Sequence, residues 1–203
     1  MEADEFLTIK GTSEGIYKEK GSKFLAFAFP VENEEEVKKR VDELKDRYHD
    51  ARHHCYAYLL GAEMDVYRMN DDGEPSSTAG KPILGQIRSH NLTNILVVVV
   101  RYFGGTLLGT SRLIRAYKAA AADTLKNASI IKQTIRSFYQ LRFGYDLMSQ
   151  VEKLLHEWDV RPQEKTFEAM CIYRIGIRKT MEQKMEEQLK RIPGLEFTKT
   201  ADP

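Results

Sequence analysis

Arginines and glycines gather where the most apolar run of the chain ends, and their types suit an anion-binding site. Residues 95–100 are isoleucine, leucine and four valines, which predicts a fully buried strand. Backbone N–H groups at the start of a following helix and guanidinium groups both bind phosphate well. The pattern matches neither a Walker A loop nor GxGxxG, so a phosphate or nucleic-acid-backbone site and a purely structural turn are both open. The candidate residues are Arg101, Gly104, Gly105, Gly109, Arg112 and Arg115.

A second glycine turn, upstream of that run, is acidic. It contains Asp71, Asp72 and Glu74, with Gly73 among them and Pro75 directly after. Carboxylate oxygens are the ligands that hard divalent cations prefer. Asp and Gly also favour tight turns, and a residue before proline is pushed toward extended backbone. Because no calcium-loop spacing is present, the turn is the favoured interpretation. Within a binding site this loop would shape the cleft or carry a cation.

The same two turns permit an enzymatic interpretation. Asp71, Asp72 or His53 would act as acid or base, while the turn at Gly104 and Gly105 would hold the negative charge of a phosphorylated or carboxylated small molecule. This hypothesis predicts a pocket that brings these groups within hydrogen-bond reach of one point.

Histidines and a cysteine lie close together between His49 and Cys55, but they do not predict a metal site. A tetrahedral N/S site needs a second ligand pair, and only Cys171, His90 and His156 are left to supply it. Cys55 is better interpreted as a small core residue. The sequence therefore predicts no metal and no cofactor. Two cysteines so far apart suit free thiols in a reducing cytoplasm.

The last third of the chain offers a second candidate surface. Alternation along two predicted strands places one set of side chains on the face opposite the helices. Arginines and an aromatic residue on such an open face resemble RNA-binding surfaces, although the aromatic-rich RNP1 pattern is missing. Met170 and Ile172 on the same face favour packing against the first domain or a second copy of the chain, so a homo-oligomer is a candidate assembly. The face carries Arg136, Phe138, Arg142, Arg174 and Arg178.

The elements that must position these residues follow from hydrophobic periodicity. Two or three strands open the chain, a helix begins at Asn33, and a strand at 53–60 pairs with one at 64–69. Helices are predicted at about 78–91 and 108–128, on either side of the buried strand. Residues 130–133 are predicted to be a connector, which sets a domain boundary between 132 and 133. The second domain then has the order β-α-β-β-α-β, a ferredoxin-like plan.

The overall composition excludes a strongly basic or membrane-spanning protein. The 203 residues carry 31 Lys and Arg against 30 Asp and Glu, so any anion site must be a local patch. No apolar run approaches the ~20 residues that cross a bilayer. The acidic N-terminus lacks the apolar core of a signal peptide. A cytoplasmic protein is therefore expected.

The motifs Asp-Asp-Gly-Glu-Pro at 71–75 and Arg-Tyr-Phe-Gly-Gly at 101–105, with residues 53–58 and 113–117, resemble the YigZ/IMPACT family. The ferredoxin-like tail is typical of its bacterial two-domain members. The resemblance implies an α+β fold, in which residues 1–132 are similar to domain 2 of ribosomal protein S5. Residues 133–203 would be similar to domains of the ribosomal translocation factor. Many relatives carry glycines where this chain has Ser77, Thr110, Ser111 and Arg112, and the charge of Arg112 would compensate for a shallower phosphate cradle.

The resemblance also bears on function. Eukaryotic relatives carry an extra N-terminal interaction domain and restrain a starvation-sensing translation kinase, a role not expected for this chain, in which that domain is missing. For bacterial members the family implies no settled biochemical activity. The sequence therefore predicts a non-enzymatic cytoplasmic binding or regulatory protein that engages RNA, the ribosome or a translation factor through its basic turn. The enzyme described above is the alternative.

Overall fold

A computed structural model describes residues 4–201, which form eleven β-strands and five α-helices. The strands are β1 (Glu5–Ile9), β2 (Ser13–Glu19), β3 (Ser22–Pro30), β4 (His53–Leu60), β5 (Val66–Asn70), β6 (Ile95–Tyr102), β7 (Ile130–Thr134), β8 (Arg136–Phe143), β9 (Glu164–Phe167), β10 (Cys171–Arg178) and β11 (Glu196–Thr200). The helices are α1 (Glu34–Arg47), α2 (Gly80–Ser89), α3 (Thr110–Lys126), α4 (Met148–Glu157) and α5 (Glu182–Leu189). None of these helices is long and apolar enough to cross a membrane.

Backbone contacts divide the chain into two compact units. One comprises residues 6–133, and the other runs from residue 134 onward and includes Asp4 and Glu5. The second unit has one hydrophobic core. The first unit has two, which lie on opposite faces of one sheet.

The first unit is built on a five-stranded antiparallel sheet with the strand order β2-β3-β6-β4-β5. Helix α1 packs on one face, and α2 and α3 pack on the other, because successive side chains of a strand point to opposite faces. Strand β6 lies at the centre, with Val97 and Val99 in one core and Val98 and Val100 in the other. The prediction that residues 95–100 form a fully buried strand is confirmed.

Helix α3 lies close to the sheet because the residues between them are small. Ala116, Ala120 and Ala121 of this helix are fully buried. On β2, a Cβ added at Gly15 would lie 2.4 Å from the backbone N of Thr124. This close approach seats the last turns of α3 directly against β2.

Residues 130–133, predicted to be a connector, belong instead to strand β7. This strand pairs with β1 in a separate two-stranded ribbon. The prediction was wrong because a short, half-exposed strand of mixed polarity has too little periodicity to be distinguished from a loop.

The second unit has the element order β8-α4-β9-β10-α5-β11 and the sheet order β11-β8-β10-β9, which is the ferredoxin-like arrangement. Tyr139 and Leu141 on β8 and Tyr173 on β10 are buried with Val151 and Leu155 of α4. The predicted two-domain α+β fold, with a ferredoxin-like second unit, is confirmed.

Candidate functional site

A cleft of about 470 Å³ opens in the first unit where β6 ends and α3 begins. The acidic turn contributes Glu74 and Pro75, and the glycine-rich turn contributes the opposite wall. The lining includes His53, Glu74, Arg101, Phe103, Leu107 and Thr110. The tertiary structure therefore brings both predicted turns to one cavity.

A buried ion pair forms the floor of this cleft. Arg101 Nη1 donates to Glu74 Oε1 at 2.6 Å, and both side chains are more than nine-tenths buried. Tyr117 Oη donates to the same oxygen at 2.8 Å, and burial raises the pKa of Tyr117, which keeps it protonated as a donor. Arg101, predicted to contact an anion, is thus already paired with a carboxylate. Its Nε has no hydrogen-bond partner among residues 4–201.

Gly104 is required by a close approach of two backbone segments. A Cβ added there would lie 1.9 Å from the carbonyl carbon of Gly21 and 2.1 Å from the backbone N of Ser22. The N–H of Gly104 donates to Ser22 Oγ at 3.2 Å, so this amide is already used. Gly105 and Gly109 differ, because their φ angles of 83° and 75° favour glycine while open space lies beside both.

The first turn of α3 is uncapped. Gly109 at the N-cap position has no side chain to offer, and the turn contains no acidic residue. Within the described part of the chain, no group accepts a hydrogen bond from the backbone N–H of Thr110, Ser111 or Arg112. Arg112 is exposed, and Arg115, whose side chain is 65% exposed, lies 3.3 Å from Glu19. Unbonded N–H groups at the positive end of a helix, beside a guanidinium group, stabilise an anion.

Exposed apolar side chains form the outer rim of the cleft, a feature that was not predicted. Leu107 is 85% exposed and Phe103 is 47% exposed, while Leu108 and Leu113 line the inner wall. The one hint in the sequence is that Phe103 and Leu107 flank a glycine pair and so fall outside a helix. The cleft suits a ligand that joins an anionic group to a flat or apolar one.

The carboxylates of the acidic turn are bonded within the protein. Asp71 accepts three backbone N–H bonds of 2.8–3.0 Å, from Ser77, Ala79 and Gly80, and so holds the segment that leads into α2. Asp72 Oδ2 accepts the N–H of His54 at 2.6 Å, and Glu74 belongs to the ion pair. Between residues 4 and 201 no three His, Cys, Asp or Glu side chains converge as metal ligands would. The geometry supports the tight-turn interpretation.

His53 lines the cleft, whereas the carboxylates of Asp71 and Asp72 are directed at backbone N–H groups. His53 Nδ1 lies 2.8 Å from the carbonyl oxygen of Asp72. An Nδ1–H donated to that carbonyl leaves Nε2 as the acceptor. The three residues proposed for acid–base chemistry are therefore not brought to one point in the cleft.

Cys55 and His54 are buried in the interior of the first unit. Cys55 Sγ donates to the carbonyl oxygen of Asp71 at 3.0 Å, and burial raises the pKa of this thiol, so it stays protonated. Burial also lowers the pKa of His54, which favours its neutral form. The prediction that Cys55 is a core residue is confirmed.

In the second unit the candidate surface lies opposite the helices. Arg136 and Arg142 are exposed there, and Phe138 is half-buried. Arg174 lies 3.7 Å from Glu164, and Arg178 donates two hydrogen bonds of 2.9–3.0 Å to the buried Asp4. Two of the five predicted residues are thus engaged with carboxylates of the same unit.

We expect the second unit to lose stability as the pH falls from about 4 to about 2. Hydrogen bonds from Arg178 and Thr180 lower the pKa of Asp4 to about 2, and those from Lys199 and Tyr139 do the same for Glu182. Folding thus keeps both carboxylates charged at a pH where the unfolded chain is protonated, so this stabilisation is present above pH ~4 and lost through pH ~2. Acid titration followed by the fluorescence of the sole tryptophan, Trp158, measures it.

The control for this titration is Asp4→Asn combined with Glu182→Gln. This variant should be less stable at neutral pH and should show a flatter dependence on acid. An acid transition with the same shape as that of the unmodified chain would contradict the assignment.

Comparison with known proteins shows consistent similarities. Residues 20–125, which include both turns of the cleft, match the Impact N-terminal domain family. The chain is 34% identical over 160 residues to IMPACT family member YigZ of Escherichia coli (strain K12), with 78% of each chain covered. It is 31% identical over 152 residues to IMPACT family member YvyE of Bacillus subtilis (strain 168), with 75% of this chain and 70% of that one covered.

A solved structure described as that of a hypothetical protein is 27% identical in sequence, with a TM-score of 0.73. The match covers 98% of this chain and 99% of that chain. Both units therefore have counterparts in one known structure.

Proposed function

This chain belongs to the IMPACT family, and from that premise we propose that it is a non-enzymatic cytoplasmic binding protein that engages RNA of the translation machinery through the cleft at the start of α3. The uncapped first turn of α3, which carries the exposed Arg112, is the observation on which the proposal rests.

An RNA phosphate would bind at this first turn. The N–H groups of Thr110 and Ser111 would donate to its oxygens, and Arg112 and Arg115 would supply positive charge. Arg101 would act differently from the sequence prediction. Its pairing with Glu74 holds the two turns together and leaves the two exposed arginines as the contacts with phosphate.

The apolar rim supports a single strand rather than a duplex. Proteins that bind single-stranded RNA stack bases on exposed aromatic rings and place the backbone along basic side chains. Phe103 provides such a ring at the mouth of the cleft, with Leu107 beside it in the same loop. Because the net charge of the chain is only +1, attraction to RNA must come from this local arrangement.

The link to translation rests on the fold likeness that the family resemblance implies, to domain 2 of ribosomal protein S5 for one unit and to domains of a translocation factor for the other. Such likeness is an argument by analogy. The open sheet face of the second unit, with Arg136, Phe138 and Arg142 accessible, would provide a second contact with RNA or with a copy of the chain. An enzyme is the weaker candidate, because Asp71 and Asp72 accept backbone N–H bonds and only His53 of the proposed trio lines the cleft.

We expect the affinity for single-stranded RNA to fall steeply with salt and to depend on Arg112 and Arg115. Filter binding of a labelled oligouridylate of about 12 nucleotides over a salt series measures both. Each lost phosphate contact should reduce the slope of log K against log salt by about 0.7, so Arg112→Ala with Arg115→Ala should reduce it by about 1.4.

A matched control removes two exposed arginines of the second unit instead, in Arg161→Ala with Arg191→Ala. This control lowers the net charge equally and should leave the slope unchanged. Equal salt slopes for the unmodified chain, the α3 variant and the control would show that phosphate is not bound at α3. If instead the chain hydrolysed a phosphate ester and this activity required His53, the enzyme would be favoured.

A further inference from the structure

The two edge strands of the first unit's sheet differ in whether their outward-facing backbone N–H and C=O groups form hydrogen bonds. On β2, Asp123 of α3 accepts the N–H of Ile16 at 2.9 Å, and Asn127 donates to the carbonyl of Glu14 at 2.9 Å. That edge is thus closed by side chains of a helix. The opposite edge, β5, pairs with β4 along one side, and no other hydrogen bond to its backbone is found within residues 4–201.

Strand β5 also lacks the usual protection of an edge strand. Exposed edges are commonly guarded by several charged residues, proline or a bulge. Here Val66, Tyr67 and Met69 are between 45% and 49% exposed, Arg68 is the one charged residue of the strand, and proline is absent from it. An exposed edge of this composition is a template for an additional strand.

The two faces of β5 would select different side chains in such a strand. Tyr67 and Met69 lie on the face covered by α2, where the guanidinium group of Arg88 stacks on Tyr67 at 4.5 Å from the ring centroid. Arg68 lies on the face covered by α1 and borders a cleft of about 340 Å³. One face is therefore mainly apolar, and the other carries charge.

The charges around Arg68 favour an acidic partner. Lys38 and Lys45 line the same cleft, and neither they nor Arg68 forms an ion pair in the described part of the chain. Glu34 and Asp42 line it as well, so positive side chains outnumber negative ones in this cleft by three to two. A second copy of the chain fits less well, because antiparallel pairing of two β5 strands centred on Arg68 would set like charges opposite each other.

We propose that β5 accepts an extended segment of a partner protein as a sixth strand of the sheet, with acidic side chains toward Arg68 and apolar side chains toward Tyr67 and Met69. Backbone hydrogen bonds would supply affinity, and the alternating side chains would supply specificity. This surface shares no residue with the lining of the cleft at α3, so the proposal does not depend on RNA binding there.

The test uses the full chain and a fluorescently labelled peptide of about eight residues in which valine alternates with glutamate. Fluorescence polarisation should show saturable binding, at least tenfold weaker for a peptide in which lysine replaces glutamate. Arg68→Glu should weaken binding of the acidic peptide at least tenfold. Lys184→Glu, an equal change of charge on the exposed face of α5, should leave it within twofold.

Hydrogen exchange monitored by NMR adds a backbone readout. The acidic peptide should slow exchange of amides in β5 and leave those in β2 unchanged. Absent binding, or binding that Arg68→Glu does not weaken, would overturn the proposal. Dimerisation seen by light scattering that protects the same β5 amides would also overturn it, in favour of a second copy of the chain.

Discussion

Replacing Glu74 by alanine is expected to lower the free energy of unfolding of the first unit by about 3–5 kcal/mol. The change leaves the guanidinium group of Arg101 buried without its carboxylate and deprives Tyr117 of its acceptor. Removing one partner of a buried ion pair is costly because the other charge stays in a medium of low dielectric constant. Hydrogen exchange of β6 amides at increasing urea measures this loss in the unit concerned.

The double variant Glu74→Leu with Arg101→Met should lose much less stability than the two single variants together. It removes both charges, and a buried ion pair replaced by apolar residues of similar volume is often close to neutral. The surface control is Glu43→Ala, because Glu43 pairs with Arg40 at 2.9 Å with both side chains almost half exposed. Its cost should stay below about 0.5 kcal/mol. If Glu74→Ala lowered the free energy of unfolding as little as Glu43→Ala does, the floor of the cleft would be hydrated.

The double variant Glu74→Leu with Arg101→Met also distinguishes two roles of Arg101, ordering of the glycine-rich turn and direct contact with phosphate. If Arg101 orders the glycine-rich turn, the double variant should fold yet bind oligouridylate more weakly without a change in the salt slope. A shallower slope would indicate that Arg101 itself contacts phosphate.

Gly104→Ala should destabilise the first unit by about 3 kcal/mol or more. The added methyl group would overlap the backbone of Gly21 and Ser22, at 1.9 and 2.1 Å. Overpacking against side chains commonly costs 1–3 kcal/mol, but here the obstacle is main chain, which cannot rotate away. The end of β6 and the turn before β3 would have to separate. Thermal unfolding followed by circular dichroism measures the change.

Gly85→Ala provides the matched control. Gly85 lies inside α2, and a Cβ added there meets nothing within 4 Å. The substitution should raise stability by up to about 1 kcal/mol, because alanine is the better helix former. If the Gly104→Ala variant were as stable as the unmodified chain, the close approach of Gly104 to Gly21 and Ser22 would be contradicted.

Much of the fold was predictable because its determinants are local. The valine-rich run of β6 and the alternation along β8 and β10 each depend on side-chain spacing within one segment. The same reasoning identified Asn33, whose Oδ1 accepts the N–H of Glu36 at 2.9 Å and caps α1. It failed at β7, because this strand is defined by pairing with β1, which lies at the opposite end of the first unit in sequence.

The candidate site depended on pairings that no local pattern contains. Both glycine turns were recognisable from residue type alone, since glycine, aspartate and proline restrict the backbone of their own segment. Glu74 and Arg101 are 27 residues apart, and Tyr117 is 43 residues from Glu74. Only strand order and register, which set the end of β6 against the acidic turn, decided that Arg101 is paired and that Arg112 stays exposed. Periodicity reports which side of a segment is buried, whereas a long-range contact exists only once the separate segments have packed together.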